Sequence, residues 1–115
     1  MRAVSSALLL AAICATCGGE ATVLVDVDLS RLAVPTELDL VHAEISDKEG
    51  VFVGRNVPLT DGQTELTIEF IQGPRTPDAL TLIVYGYLQS VLVTESEPQS
   101  FTFEAGKEKR LKVRL

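Results

Sequence analysis

From Thr22 onward, apolar and polar residues alternate with a period of two. Val23, Val25, Val27 and Leu29 fall on one face of an extended segment, with Asp26 and Asp28 on the other. Val41, Ala43 and Ile45 alternate with His42 and Glu44, and Leu66, Ile68 and Phe70 with Glu65, Thr67 and Glu69. Phe101 and Phe103 alternate with Thr102 and Glu104, and Leu111, Val113 and Leu115 with Lys112 and Arg114. A strand points successive side chains to opposite faces, so each segment is predicted as a strand buried on one side and wet on the other. The less regular runs 51–59, 80–88 and 91–95 are rich in Val, Leu, Ile and Tyr, which favour strands. No long segment carries a helical period.

Turn residues separate these runs. Asp47-Lys48-Glu49-Gly50 and Asp61-Gly62 read as hairpin loops. Residues 73–78, with Gly73, Pro74 and Pro77, form a break that a strand does not cross. Glu97-Pro98 and Ala105-Gly106-Lys107 close the last gaps, and Pro35 holds Val34 extended. Seven or eight short strands joined by short loops predict an all-β, mostly antiparallel two-sheet sandwich over residues 22–115. It is immunoglobulin-like in architecture only, because no Cys…Trp…Cys framework is present. A small β-barrel is the second choice. Leu115 falls inside an apolar alternation, so the last residues are expected in a sheet.

The first residues break the pattern. Met1 to Ser6 carry one positive side chain, Arg2, and Ala7 to Ile13 are an apolar run too short to span a bilayer. Small residues follow, the three-part layout of a secretory signal peptide. Residues 1–17 are therefore expected to be a signal with a lipoprotein-like end, and 18–21 a tether. Cys17 is the favoured acylation site; Cys14, preceded by the bulky Ile13, is the less favoured one. Simple cleavage after Ala21 is the other expectation. A redox role for Cys14 and Cys17 would need an adjoining βαβ pattern, which is missing.

Composition narrows the function. A chain of 115 residues is one domain, and 46% hydrophobic against 23% charged residues argues against disorder. The net charge is −6, and all acids lie at or after Glu20; without Arg2, nine bases face sixteen acids, a net −7. Nucleic-acid binding wants a basic footprint and is not expected. One His, no Trp and two Cys leave few parts for catalysis. His42 has no evident partners for a triad or metal site, only Glu44 on its own strand face. No cofactor is expected.

The segment from Val25 to Val41 (VDVDLSRLAVPTELDLV), together with Phe103-Glu104-Ala105-Gly106 and the ending Leu111 to Leu115, resembles small lipoproteins and secreted proteins of myxobacteria and their relatives. The resemblance covers roughly residues 23–115. It implies a β domain with an envelope address, at the periplasmic or outer-membrane face of a Gram-negative bacterium, and carries over no activity.

Three binding sites are candidates. Asp26, Asp28, Glu37 and Asp39 are close in sequence and would suit calcium if they converged. Tyr85 and Tyr87 would suit a carbohydrate. The run from Leu80 to Leu88 is apolar on both faces; with Leu82 and Val84 towards the core, Ile83, Tyr85 and Tyr87 form an outward strip suited to a protein partner or a second copy. Gly86 would let another backbone approach the opposite face. The expectation is a non-enzymatic envelope lipoprotein domain that binds or scaffolds, held to the membrane by its lipid. The alternatives are a calcium- or carbohydrate-binding secreted module, or an enzyme.

Overall fold

The computed structural model describes residues 21–72 and 79–115. Among them are eight strands and no helix: β1 (Ala21–Asp28), β2 (Leu40–Asp47), β3 (Gly50–Pro58), β4 (Glu65–Gln72), β5 (Leu80–Leu88), β6 (Val91–Glu95), β7 (Gln99–Phe101) and β8 (Glu108–Arg114). The signal, the tether up to Glu20, both cysteines and the 73–78 break lie outside the described residues.

The strands form two sheets. One has three strands in the order β4-β1-β8; the other has β3-β2-β5-β6, with β7 also paired to β5. β6 and β7 occupy the same edge of β5, β6 against Tyr85–Leu88 and β7 against Leu80–Leu82. They are one edge strand interrupted at Ser96–Pro98. The sheets keep separate edges, so the architecture is a sandwich and not a closed barrel.

The period of two explains the core. Val23, Val25 and Val27 of β1 and Ile68 and Phe70 of β4 face Val41, Ala43 and Ile45 of β2 and Leu80, Leu82 and Val84 of β5, all buried. Phe101, Val113 and Leu115 join the same cluster, with Leu29, Val34 and Leu38 sealing one end. Phe103 packs at its margin from a loop, because β7 ends at Phe101.

One detail departs from expectation. Asp61-Gly62 does not close a hairpin. β3 and β4 lie in different sheets, so this turn carries the chain across the sandwich, pinned by the Gly62 N–H donating to the Val34 carbonyl at 3.0 Å. Pairing is mostly antiparallel, as expected; the exception is β1, which runs parallel to β8, with Val25 opposite Leu111 and Val27 opposite Val113. The last strand thereby covers an edge of the first.

These pairings give the sandwich two poles. At one, the Thr22 N–H donates to the Lys107 carbonyl, and the β2–β3 turn lies beside Leu80, Phe101 and Lys109. At the other, the Leu115 N–H donates to the Asp28 carbonyl and the Asp39 N–H to the Tyr87 carbonyl, below the β5–β6 hairpin. The chain enters β1 at the first pole.

Candidate functional site

β5 buries Leu80, Leu82, Val84 and Gly86, which turns Ile83, Tyr85 and Tyr87 to the outer face, each half-buried between neighbouring strands. Cross-strand register arranges that face in rows. Leu40, Tyr87 and Leu92 form the first, at the hairpin pole. Asn56, His42, Tyr85 and Glu95 form the second. Gly54, Glu44 and Ile83 form the third. Rows on one face are about 6.8 Å apart, two residues of strand.

The middle row is polar at both ends. The His42 ring lies over Gly54, where an added Cβ would sit 3.0 Å from its Cε1, so the missing side chain is what makes room for the ring. His42 Nδ1 is 2.6 Å from Asn56 Oδ1 and Nε2 is 3.1 Å from Glu44 Oε2. Its ring centroid is 6.1 Å from that of Tyr85. Partial burial pushes the Tyr85 hydroxyl above its ordinary pKa, and the charges of Glu44 and Glu95 push it the same way. Tyr85 therefore sits in the field of two carboxylates from the strands on either side of it.

The strip continues onto the sheet edge. Val91, Leu92 and Val93 of β6 are 63%, 46% and 45% exposed, three of the four large apolar side chains most open to solvent among the described residues. Other edges carry charge. β8 has Lys109, Arg110, Lys112 and Arg114; β4 has Glu65 and Glu69; β3 has Arg55, which lies over the Phe70 ring at 5.4 Å. Charged side chains are the usual protection of an edge. β6 is limited instead by its five residues and by a bulge opposite Gly86–Tyr87. A tight turn sets its direction: Gln89 and Ser90 have φ of 50° and 69°, and the Gln89 N–H donates to Asp39 Oδ2 at 3.0 Å. Sequence reading singled out Ile83, Tyr85 and Tyr87 but missed Leu92 and Glu95. The signal was three consecutive apolar residues without alternation, which an edge tolerates and a two-sided central strand does not explain.

Gly86 has a different role from the one expected. A Cβ there would lie 2.5 Å from Leu38 Cδ1 and 2.7 Å from Thr94 Cγ2. Side chains of this same chain, and no other backbone, fill the space beneath it. Ser96, buried, repairs the gap between β6 and β7: its N–H donates to the Val84 carbonyl at 2.8 Å and its Oγ accepts from the Val84 N–H at 2.9 Å.

The outer face of the three-stranded sheet is built differently. Asp26 accepts two hydrogen bonds from Arg110 Nη1, at 2.8 and 2.7 Å, and one from Thr67 Oγ1. Asp28 accepts from Arg114 Nε at 3.2 Å and from the N–H and hydroxyl of Ser30. The hydrogen bond from Arg110 is the main reason the Asp26 carboxyl is held below its ordinary pKa; for Asp28 it is the hydroxyl of Ser30.

The four carboxylates considered for calcium do not converge. Glu37 accepts from the Ala33 N–H and Asp39 from the Gln89 N–H, each closing a loop. Among the described residues, no group of three His, Cys, Asp or Glu side chains is placed to hold a metal ion. No helix among them is long and apolar enough to cross a membrane. Comparison of the chain with protein-family models, with curated proteins and with solved structures finds no match.

Proposed function

We propose that the protein is a non-enzymatic binding module of the bacterial cell envelope, tethered through an acylated Cys17, and that a partner docks on Ile83, Tyr85, Tyr87 and the adjoining β6. The observation that carries this reading is the continuity of the outward strip with the exposed Val91–Val93 edge. Tyr suits such a surface, with a large apolar body and a polar tip. Exposed apolar surface rimmed by polar residues is a feature of interaction sites. On the opposite face the acids and guanidinium groups satisfy one another, which leaves little there to act on a substrate. The resemblance of residues 23–115 to small envelope proteins of myxobacteria agrees with the address.

Geometry suits the tether as well. β1 begins at Ala21, four residues after Cys17, and its eight residues span about 27 Å towards the other pole. The Tyr87–Leu92 row lies at that far pole, on the outer face of the sheet, at the end of the domain away from the start of β1. The test has two parts. Intact mass of the protein from a Gram-negative host should show loss of sixteen residues and gain of acyl chains at Cys17; an unprocessed Met1 in the envelope fraction overturns the tether. In crosslinking from native envelopes, Tyr85→Ala/Tyr87→Ala should lose the partner while stability changes by less than about 1 kcal/mol, as for surface substitutions. A loss of several kcal/mol with crosslinking unchanged would assign the tyrosines to the core and remove the strip as a site.

A further inference from the structure

The partner's chemistry can be read from the rows of the strip, an inference that rests on the docking reading above. Glu95 lies directly across from Tyr85 on one side, and Glu44 lies one row along on the other side, beside Ile83. No Lys or Arg stands among the described outward residues of β2, β3, β5, β6 and β7; the bases among the described residues lie on β8, in loops, or at Arg55, which is turned towards Phe70. The face thus offers an aromatic ring between two carboxylates, with His42 as its one nitrogen-bearing neighbour. A guanidinium or ammonium group suits such a place: it stacks on the ring face and pairs with the acids. The next row, about 6.8 Å away, is Tyr87 with Leu92 and is apolar. An extended chain presents side chains i and i+2 on one face at that same spacing.

We propose that the strip takes an extended segment of a partner protein that places a Lys or Arg side chain on Tyr85, between Glu44 and Glu95, and an apolar side chain two residues away against Tyr87 and Leu92. Charge complementarity selects this occupant over a second copy. An isologous contact through the same strip would set Glu44 and Glu95 of both copies against each other, in chains of net charge −6. The contact is made by side chains on the sheet face, since the bulge in β6 interrupts the edge that a straight added strand would follow.

The probe is a synthetic heptapeptide, threonine–valine–threonine–arginine–threonine–valine–threonine, and its twin with citrulline, the neutral isostere of arginine. Each is titrated into the isotopically labelled full chain and followed by NMR. The arginine peptide should shift Tyr85, Tyr87, Leu92 and Glu95 and bind about tenfold more tightly than the citrulline peptide at low salt. The preference should vanish in Glu44→Gln/Glu95→Gln and shrink as salt is raised. Equal binding of both peptides at these residues overturns the cation site and leaves the strip as an apolar docking surface. Binding of neither, or shifts confined to the other sheet, overturns both readings. Concentration-dependent shifts of the same residues without peptide would assign the strip to a second copy and also overturn the proposal.

Discussion

The two outer faces of the sandwich answer the same problem in opposite ways. Each sheet buries one side in a shared core and must leave the other to water. On the three-stranded sheet, β8 lays Arg110, Lys112 and Arg114 along the Asp26 and Asp28 of β1, and Arg110 and Arg114 close on those two carboxylates. On the five-stranded sheet, Tyr85 and Tyr87 of β5 and Leu92 of the edge strand β6 form a strip, and Glu95 and Glu44, the latter 3.1 Å from His42, flank it with no Lys or Arg among the described residues beside them. A face whose charges are mutually paired has little left to offer a partner. A face with aromatic surface and unneutralised acids does. The difference is what supports the proposed docking on β5 and β6, while the pairings of β8 hold the fold.

The largest test strikes β8. Removing residues 111–115 takes away the buried Val113 and Leu115 and the partly buried Leu111, and it strips part of the parallel edge from β1. Full burial of such a side chain is worth about 1.5–3 kcal/mol, and a small domain holds only about 5–15 kcal/mol. The truncated chain should be unfolded or melt far below the full-length protein. An unchanged melting curve would mean that the charged face is ornament to the fold and that the comparison is wrong.

Gly86→Val tests the inner support of the binding face. Two contacts would fall below 3.0 Å, with Leu38 and Thr94, and neither leucine nor threonine can withdraw far from a packed core. Overpacking of this kind costs about 1–3 kcal/mol. Denaturant melts should show that loss, together with weaker docking, because Thr94 belongs to the strand that carries Leu92. Docking lost at unchanged stability would place Gly86 in direct contact with the partner.

Ser96→Ala is expected to cost less. It removes the hydroxyl that accepts from the buried Val84 N–H. An orphaned buried donor costs about 1–3 kcal/mol, and an edge strand can open to water, so the low end, about 1 kcal/mol, is expected. Hydrogen exchange should quicken at Val84 and along β6 while β1 stays protected. Uniform acceleration through both sheets would show that β6 is not a separate, weaker unit.

How far the sequence discloses all this depends on how local each feature is. β1, β2, β4 and β8 alternate cleanly because each buries one face, and their inward residues Val23, Val41, Ile68 and Val113 were legible from spacing alone. The outward turn of Tyr85 and Tyr87 was legible for the same reason. Sheet membership was not. Asp61-Gly62 has turn chemistry whether it closes a hairpin or crosses between sheets, and only the partners of β3 and β4 decide. The calcium expectation failed in the same way: Asp26 and Asp28 lie near Glu37 and Asp39 in sequence, but their actual partners, Arg110 and Arg114, are 84 and 86 residues away. Leu92 and Glu95 stayed hidden because three consecutive apolar residues, Val91 to Val93, fit an edge strand but do not say which strand they border.

The smallest effect concerns acid. The carboxyl of Asp26 is held below its ordinary pKa by hydrogen bonds from Arg110 first and Thr67 second, and that of Asp28 by Ser30 first and Arg114 after. A carboxyl with a folded pKa below its unfolded value stabilises the fold fully above the unfolded value, about 3.9 for Asp. That stabilisation fades as the pH falls through the lower, folded value. Glu104, lowered chiefly by Lys109, acts in the same direction. Stability should therefore be flat around neutrality and decline below about pH 4. Asp26→Asn should flatten that acid decline while costing little at neutral pH, since exposed pairs are screened by solvent, and 1 M salt should erase much of the difference between variant and parent. The corresponding change on the other face, Glu44→Gln/Glu95→Gln, tests docking. If Asp26→Asn left acid unfolding unchanged, the pairing of Asp26 with Arg110 would contribute nothing to the fold, and the contrast between a self-paired face and a docking face would fall.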